Sequence, residues 1–205
     1  KCHVLLDDMG DYLLMNQVYA EFFSGNYYPA RTTVEVADLF GRFRVEVSCI
    51  AFRNKSDIRV VKPPGRSSQR VLGPYSSGVI AGDTLYLSGQ GGRDPWSDEL
   101  PNSLEVQVVE ALANIEQVVS AANFSTDDTI YANAYYVGCE QQRVIDEVVS
   151  TTFLEKQSYT LSRICVPRLP GGITVEVTLF ADRGERNTVF LEVESAAEAG
   201  NDIVS

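Results

Sequence analysis

Arg31 and Glu46 are the two side chains of this 205-residue chain best suited to act together on a small molecule. Arg31 leads into Thr32-Thr33-Val34-Glu35-Val36-Ala37, and Glu46 lies in Arg44-Val45-Glu46-Val47-Ser48-Cys49-Ile50-Ala51. Both runs alternate with period two and are rich in β-branched residues, the pattern of half-buried strands. A planar guanidinium can clamp a carboxylate with two parallel hydrogen bonds, an orientation that a lysine cannot impose. A partly buried carboxylate beside it can hold a water, take its proton and return a proton to a leaving group. The plain alternative is an ion pair on a sheet surface, Arg31 with Glu46 or Glu35. A second arginine and glutamate, Arg163 and Glu176, stand further along the chain.

Other chemistries have less to draw on. His3 is the one histidine, so a catalytic triad or a multi-histidine metal site would rest on it alone. It reads as a strand or surface residue. Cys2, Cys49, Cys139 and Cys165 are too scattered for a zinc ribbon or a CxxC pair, and read as buried free thiols in a reducing compartment. Gly89-Gln90-Gly91-Gly92 follows a strand without opening a helix at the distance that a phosphate cradle needs. Asp7-Asp8 and Asp127-Asp128 read as solvated turn acids rather than metal ligands. Neither metal nor cofactor is expected.

Seventeen Lys and Arg against twenty-eight Asp and Glu leave a net charge of −11, which repels phosphate backbones and argues against a nucleic-acid partner. No apolar run approaches the roughly 20 residues needed to span a bilayer, and the first residues lack a basic-then-apolar signal pattern. No membrane association is expected, and the expected compartment is the cytoplasm or an organelle matrix.

The elements that must position these side chains follow from periodicity. Residues 1–6 read as a strand and Asp11 to Phe23 as a helix, with Tyr12, Met15, Val18, Tyr19, Phe22 and Phe23 at three- and four-residue spacing. Two strands follow. Residues 55–70 lose the pattern and collect Lys, Ser, Pro and Gly, the composition of a linker. Ser76 to Ile80 and Thr84 to Ser88 read as a hairpin turning at Ala81-Gly82-Asp83. A long amphipathic helix then carries Leu104, Val108, Ala111, Leu112, Ile115, Val118, Val119 and Ala122 on one stripe, with Asn102 and Glu105 spaced as a capping box. Strand, helix, strand, strand close the chain over 129–181. An acidic, alanine-rich tail, 184–205, is expected to be frayed.

That last order repeats the first. A shift of 130 residues lays Phe23 on Phe153, Leu39 on Leu169, Val45-Glu46-Val47 on Val175-Glu176-Val177 and Ala51 on Ala181. Residues 1–54 therefore read as the C-terminal half of a unit that residues 71–183 contain whole. Such a half lacks the hairpin and long helix that would cover its sheet, so another polypeptide is expected to supply them.

Several motifs together resemble the reactive-intermediate deaminase family, also called RidA, YjgF or endoribonuclease L-PSP. They are Gly73-Pro74-Tyr75-Ser76, Leu87-Ser88-Gly89-Gln90, Glu110-Ala111-Leu112-Ala113-Asn114-Ile115, Arg168-Leu169-Pro170 and Val175-Glu176-Val177 in the second segment. Met15-Asn16-Gln17-Val18-Tyr19-Ala20-Glu21-Phe22-Phe23 and Pro29-Ala30-Arg31-Thr32-Thr33-Val34-Glu35-Val36-Ala37 carry it in the first. The resemblance implies an α+β, chorismate-mutase-like fold, a mixed sheet backed by two helices, here one complete domain plus half of a second. It implies a trimer or pseudo-trimer ring with ligand sites between neighbouring domains, and hydrolysis of small 2-imino or 2-enamino acids such as 2-aminoacrylate to a 2-keto acid and ammonia, without cofactor.

By the same resemblance Arg31 grips the substrate carboxylate and Glu46 handles the water. Tyr75, Ser88, Gly89 and Asn16 line the site, and Thr33 stands where the family has a cysteine. The second copy departs from the pattern: Leu161 replaces the arginine and Asp146 the asparagine, leaving Arg163 and Glu176 as its candidates. The copies thus look complementary, with Arg31 and Glu46 facing Tyr75, Ser88 and Gly89 across an interface. Two other readings stay open. One is a non-catalytic module that binds a ligand or holds an assembly together. The other is a tandem module like those at the C-terminus of eukaryotic diphthine-ammonia ligases.

Overall fold

The computed structural model describes residues 1–23, 27–64, 72–152 and 159–184. The first segment folds as β1 (Cys2–Leu6), α1 (Tyr12–Phe22), β2 (Arg31–Glu35) and β3 (Val45–Cys49). These strands form a sheet in the order β2-β1-β3, with β1 parallel to β2 and antiparallel to β3. Alternation decides its faces. Cys2, Val4 and Leu6 are buried with Tyr19 of α1, whereas His3 and Leu5 point to the opposite side.

The second segment contains β4 (Ile58–Val61), β5 (Gly78–Ala81), β6 (Thr84–Leu87), β7 (Gln90–Gly91), α2 (Leu104–Ala121), β8 (Thr129–Tyr136), α3 (Gln142–Val149), β9 (Thr160–Cys165) and β10 (Val175–Asp182). Its seven-stranded sheet runs β4-β5-β6-β10-β8-β9, and β7 also pairs with β10. The strand pairing of the two segments is alike: β8 is parallel to β9 and antiparallel to β10, as β1 is to β2 and β3. The turns before β3 and β10 match as well, each with a glycine at φ +68°, Gly41 and Gly171. Only glycine adopts that conformation without strain.

Helix α2 closes one face of the larger sheet. Val108, Ala111, Leu112, Ile115, Val118 and Val119 pack with Leu85, Leu87, Val175, Val177 and Leu179 in one buried cluster, where each large side chain contributes roughly 1.5–3 kcal/mol. The helix starts one residue later than its capping box implied. Ser103 is the N-cap, its oxygen accepting from the Val106 N–H, and Glu105 accepts from the Ser103 hydroxyl rather than pairing with Asn102.

Two other expectations are corrected. The stretch 55–70 is not linker throughout, since Ile58–Val61 forms β4 against β5 and buries Val61 in the core. Four residues ahead of Pro63-Pro64 are too few for their β-branched character to stand out from the surrounding polar composition. The cysteines are not free thiols. Cys2 pairs with Cys49 and Cys139 with Cys165, at Cα separations of 4.2 and 5.3 Å. Cys2 and Cys49 face each other directly in the antiparallel β1/β3 register, a proximity that sequence spacing does not reveal. The expected acidic tail lies outside the described residues from 185 onward, and among those described no helix is long and apolar enough to cross a membrane.

Leu179→Ala should lower unfolding free energy by about 2–5 kcal/mol, because the α2/β10 layer cannot collapse around the cavity. Val109→Ala, on the exposed side of α2, should stay within about 0.5 kcal/mol of the parent. Urea titrations followed by circular dichroism measure both, and equal losses would place the core elsewhere.

Candidate active site

Arg31 opens β2, and its backbone is held by the second segment. The Arg31 N–H donates to Ser88 Oγ at 2.7 Å, and the Gly89 N–H donates to the Arg31 carbonyl at 3.1 Å. A parallel bridge between Ala30 and Ser76 extends the same seam. Docked this way, the edge of β2 continues across the boundary between the segments, and the Arg31 side chain lies 3% exposed on the α1 face.

Aromatic rings wall the guanidinium. Its central carbon is 4.8 Å from the Tyr19 ring centre, 5.0 Å from that of Tyr75 and 5.6 Å from that of Tyr12, distances at which the ring faces attract a cation. Arg31 Nη2 also donates to the Tyr12 hydroxyl at 3.2 Å. Gly73 is needed for this approach, since a Cβ there would lie 2.6 Å from Arg31 Nη2 and 2.7 Å from Asn16 Oδ1. Among the described residues no carboxylate lies within ion-pair distance of Arg31; the ion pairs that form involve other arginines.

The acid beside Arg31 is Glu176. Gly91 pairs with Glu176 and Gln90 with Val177 in the β7/β10 ladder, which lays Gly89 directly over the Glu176 carboxylate, where any Cβ would overlap it. Glu176 is buried, and its Oε1 has no hydrogen-bond partner. Burial pushes its pKa up to about 7 against the opposing pull of the Lys1 and Arg31 charges.

The structure does not bring Glu46 to this point. The β1 register sets Arg31 opposite Cys2 and Glu46 opposite Leu5, so the two residues lie on opposite faces and on opposite sides of β1. They are two strand spacings and three residues apart, about 10 Å in each direction. Glu46 is exposed. The pairing of Arg31 with Glu46 is therefore corrected to Arg31 with Glu176, because β2 docks against the other copy's β6–β7 connection rather than beside its own β3.

The remaining candidates divide. Tyr75 faces Arg31, as does Asn16, whose Nδ2 donates to the Leu72 carbonyl while Oδ1 is left without a partner. Thr33, two residues beyond Arg31 on the same strand face, has a buried Oγ1 without a partner. Ser88 and Gly89, expected to line the site, hold the Arg31 backbone: Ser88 Oγ accepts from the Arg31 N–H and donates to the Ser76 carbonyl, and the Gly89 N–H donates to the Arg31 carbonyl. In the second copy Leu161 packs against the hydrophobic core, and Arg163 forms an ion pair with Asp146. His3 lies in β1 beside Tyr135, its Nε2 3.3 Å from the Tyr135 hydroxyl, and burial lowers its pKa to about 4. Lys1 escaped the sequence reading altogether: its Nζ is buried near Glu176, and no motif marked it.

No three His, Cys, Asp or Glu side chains among the described residues cluster as metal ligands would. A cavity of about 450 Å³ is lined by Lys1, His3, Asn133, Tyr135 and Phe180 among others, and Arg31 is not part of its lining.

Comparison with known proteins identifies the family. A RutC family protein of Saccharolobus solfataricus is 34% identical over 113 residues, 55% of this chain and 89% of that protein. A 2-iminobutanoate/2-iminopropanoate deaminase of Bos taurus is 31% identical over 123 residues, 58% of this chain and 88% of its own. The structure of Escherichia coli TdcF with bound serine superposes with a TM-score of 0.56 at 28% identity, covering 62% of this chain and 99% of that one. The YjgF gene product of the same organism, at 23% identity and the same TM-score, shares the fold. The sequence model described as Endoribonuclease L-PSP matches residues 1–53 and 66–182, which include both Arg31 and Glu176, and the chain belongs to that family, the group of RidA and YjgF.

Proposed function

We propose that the chain hydrolyses small 2-imino acids, and the 2-enamino acids that tautomerise to them, at the cleft between Arg31 and Glu176. The observation that carries this reading is a buried arginine walled by three tyrosines, with no carboxylate within ion-pair distance among the described residues, beside a buried carboxylate from the other copy. The hydrogen bonds of this cation go to a neutral hydroxyl and a thioether, and a guanidinium is shaped to receive a carboxylate. The relatives named as deaminases of 2-imino acids, and the serine-bound TdcF structure, support a ligand of this class.

In this reading Arg31 clamps the substrate carboxylate, and Tyr75, Tyr12 and Tyr19 fix the guanidinium plane. Asn16 Oδ1 and Thr33 Oγ1 are the polar atoms available to orient the rest of the ligand. Ser88 and Gly89 act by holding Arg31 in place. Glu176 takes a proton from water as its oxygen bonds to the iminium carbon, giving a carbinolamine. Glu176 returns that proton to nitrogen, the C–N bond breaks, and the hydroxyl oxygen forms the ketone. The hydroxyl proton leaves with the nitrogen, so the products are a 2-keto acid and ammonium.

A second reading holds for the cleft of the second copy. With leucine at the arginine position and Arg163 tied to Asp146, that cleft lacks a free carboxylate anchor, and its role is to support the first.

The half-domain calls for a partner. Val45 and Val47 of β3 are 45% and 47% exposed, whereas their counterparts Val175 and Val177 are fully buried under α2. Leu14, Val18 and Phe22 form an exposed stripe at four-residue spacing on α1. A hairpin and long helix equivalent to β5, β6 and α2, supplied by another polypeptide, would cover both faces and complete a ring of domains.

Arg31→Ala should cost ten- to more than a hundredfold in kcat/KM on 2-iminobutyrate, since one charge-assisted clamp is worth roughly 1.5–3 kcal/mol. Unchanged activity would remove Arg31 from the site. Because Glu176 must be ionised to accept a proton, kcat/KM should fall as pH drops through about 7, and Glu176→Gln should abolish both activity and that limb. Light scattering should give a mass above the 22.6 kDa of the chain; a monodisperse monomer would refute the assembly.

A further inference from the structure

We propose that Lys1 is a positioning residue for the reaction: its buried ammonium holds the Glu176 carboxylate in the ionised form while substrate occupies Arg31. This rests on the Arg31–Glu176 cleft being the hydrolytic site.

The geometry comes from three hydrogen bonds. Lys1 Nζ lies 2.6 Å from Thr32 Oγ1, 2.7 Å from the Leu87 carbonyl and 3.2 Å from Thr178 Oγ1. Thr178 Oγ1 itself donates to the Leu87 carbonyl at 2.9 Å, so its hydrogen is spent and it must accept from Lys1. A carbonyl can only accept. With Thr32 Oγ1 as the third acceptor, the site is built for an ammonium with all three donors engaged.

Those bonds also fix where the charge stands. Thr178 is two residues from Glu176 on the same face of β10, and Leu87 is two residues before Gly89, which covers the Glu176 carboxylate. On both strands the ammonium sits one side-chain step, about 6–7 Å, from the acid. Burial lowers the Lys1 pKa to about 7 and the Glu176 charge opposes that change, so the two groups titrate as a coupled pair. The three acceptors favour the charge-separated form.

Few other charges face Glu176. Arg31 approaches from β2, Tyr12 from α1 and Tyr135 from β8. Burial raises the pKa of both phenols, keeping them neutral, and His3, beside Lys1, is neutral above about pH 4. Among the described residues, Arg31 and the protonated form of Lys1 are therefore the cations that act on Glu176. When substrate binds, its carboxylate offsets the Arg31 charge, and Lys1 becomes the one uncompensated cation holding Glu176 ionised. An enzyme that relied on Arg31 alone would lose its base on binding its substrate.

The test is the pH dependence of kcat and KM for Lys1→Met and Lys1→Arg in the full chain, alongside a ¹³C NMR titration of the Glu176 carboxyl, assigned with Glu176→Gln. In Lys1→Met the acid limb of kcat and the Glu176 titration should both move up by about one unit or more. KM at high pH should stay within about twofold, because the clamp is intact, and Lys1→Arg should restore the limb. If Lys1→Met does not fold, Thr178→Val, which removes one acceptor, should give a smaller shift of the same sign. A limb and a Glu176 titration that stay at wild-type values in a folded variant would overturn the proposal. If the wild-type chain shows no hydrolysis, the functional reading fails, and the NMR titration still decides whether Lys1 governs Glu176.

Discussion

The docking of the β2 edge onto the second segment is the constraint on which the site depends. Arg31 has both backbone polar groups satisfied by Ser88 and Gly89, residues of the β6–β7 connection, and that connection is pinned in turn to β10. Buried backbone groups must find partners, so the seam can hardly slide by a residue without leaving several of them unpaired. The same seam that buries the Arg31 backbone sets its guanidinium over Tyr75 and places Glu176 within reach. Gly89 is central because it alone allows Arg31's strand, its own strand and the Glu176 carboxylate to converge.

Charge is concentrated where it is hardest to keep. Arg31 and Glu176 are buried and Lys1 is partly so, and a buried charge is costly unless its neighbours compensate. Each is compensated differently: aromatic faces and one hydroxyl surround Arg31, three oxygens surround Lys1, and the two cations oppose the rise in the Glu176 pKa that burial causes. Such opposed shifts mark a group poised to exchange a proton near neutral pH.

The two copies show how one plan diverges. Met9 and Glu35 of the first copy, joined by a hydrogen bond from the Met9 N–H to Glu35 Oε2, correspond to Cys139 and Cys165 of the second, joined by a disulfide. Both links tie the end of one parallel strand to the connection following its neighbour. At the arginine position the two copies differ: an arginine walled by rings in one copy, and a leucine with an Arg163–Asp146 ion pair in the other. The second copy has no arginine at that position, and its Glu176 lies buried under the influence of the first segment's Lys1 and Arg31.

Sequence alone determined the order of the main elements and the family motifs, and it singled out Arg31, Tyr75 and Asn16 as candidates. These signals are local or periodic: alternation with period two, a helical stripe, a glycine between two strands, and the same order after 130 residues. The short strand Ile58–Val61 was hidden because four residues carry too little periodicity. The disulfides, the placement of Glu176 rather than Glu46 near Arg31 and the setting of the Lys1 ammonium among three oxygens were decided by tertiary structure. Each depends on which strand edges meet. Glu46 and Glu176 occupy equivalent places in identical Val-Glu-Val runs, and nothing within either run says which one will face Arg31. That choice was made by the hydrogen bonds of one backbone edge, from residues 57 positions apart in the chain.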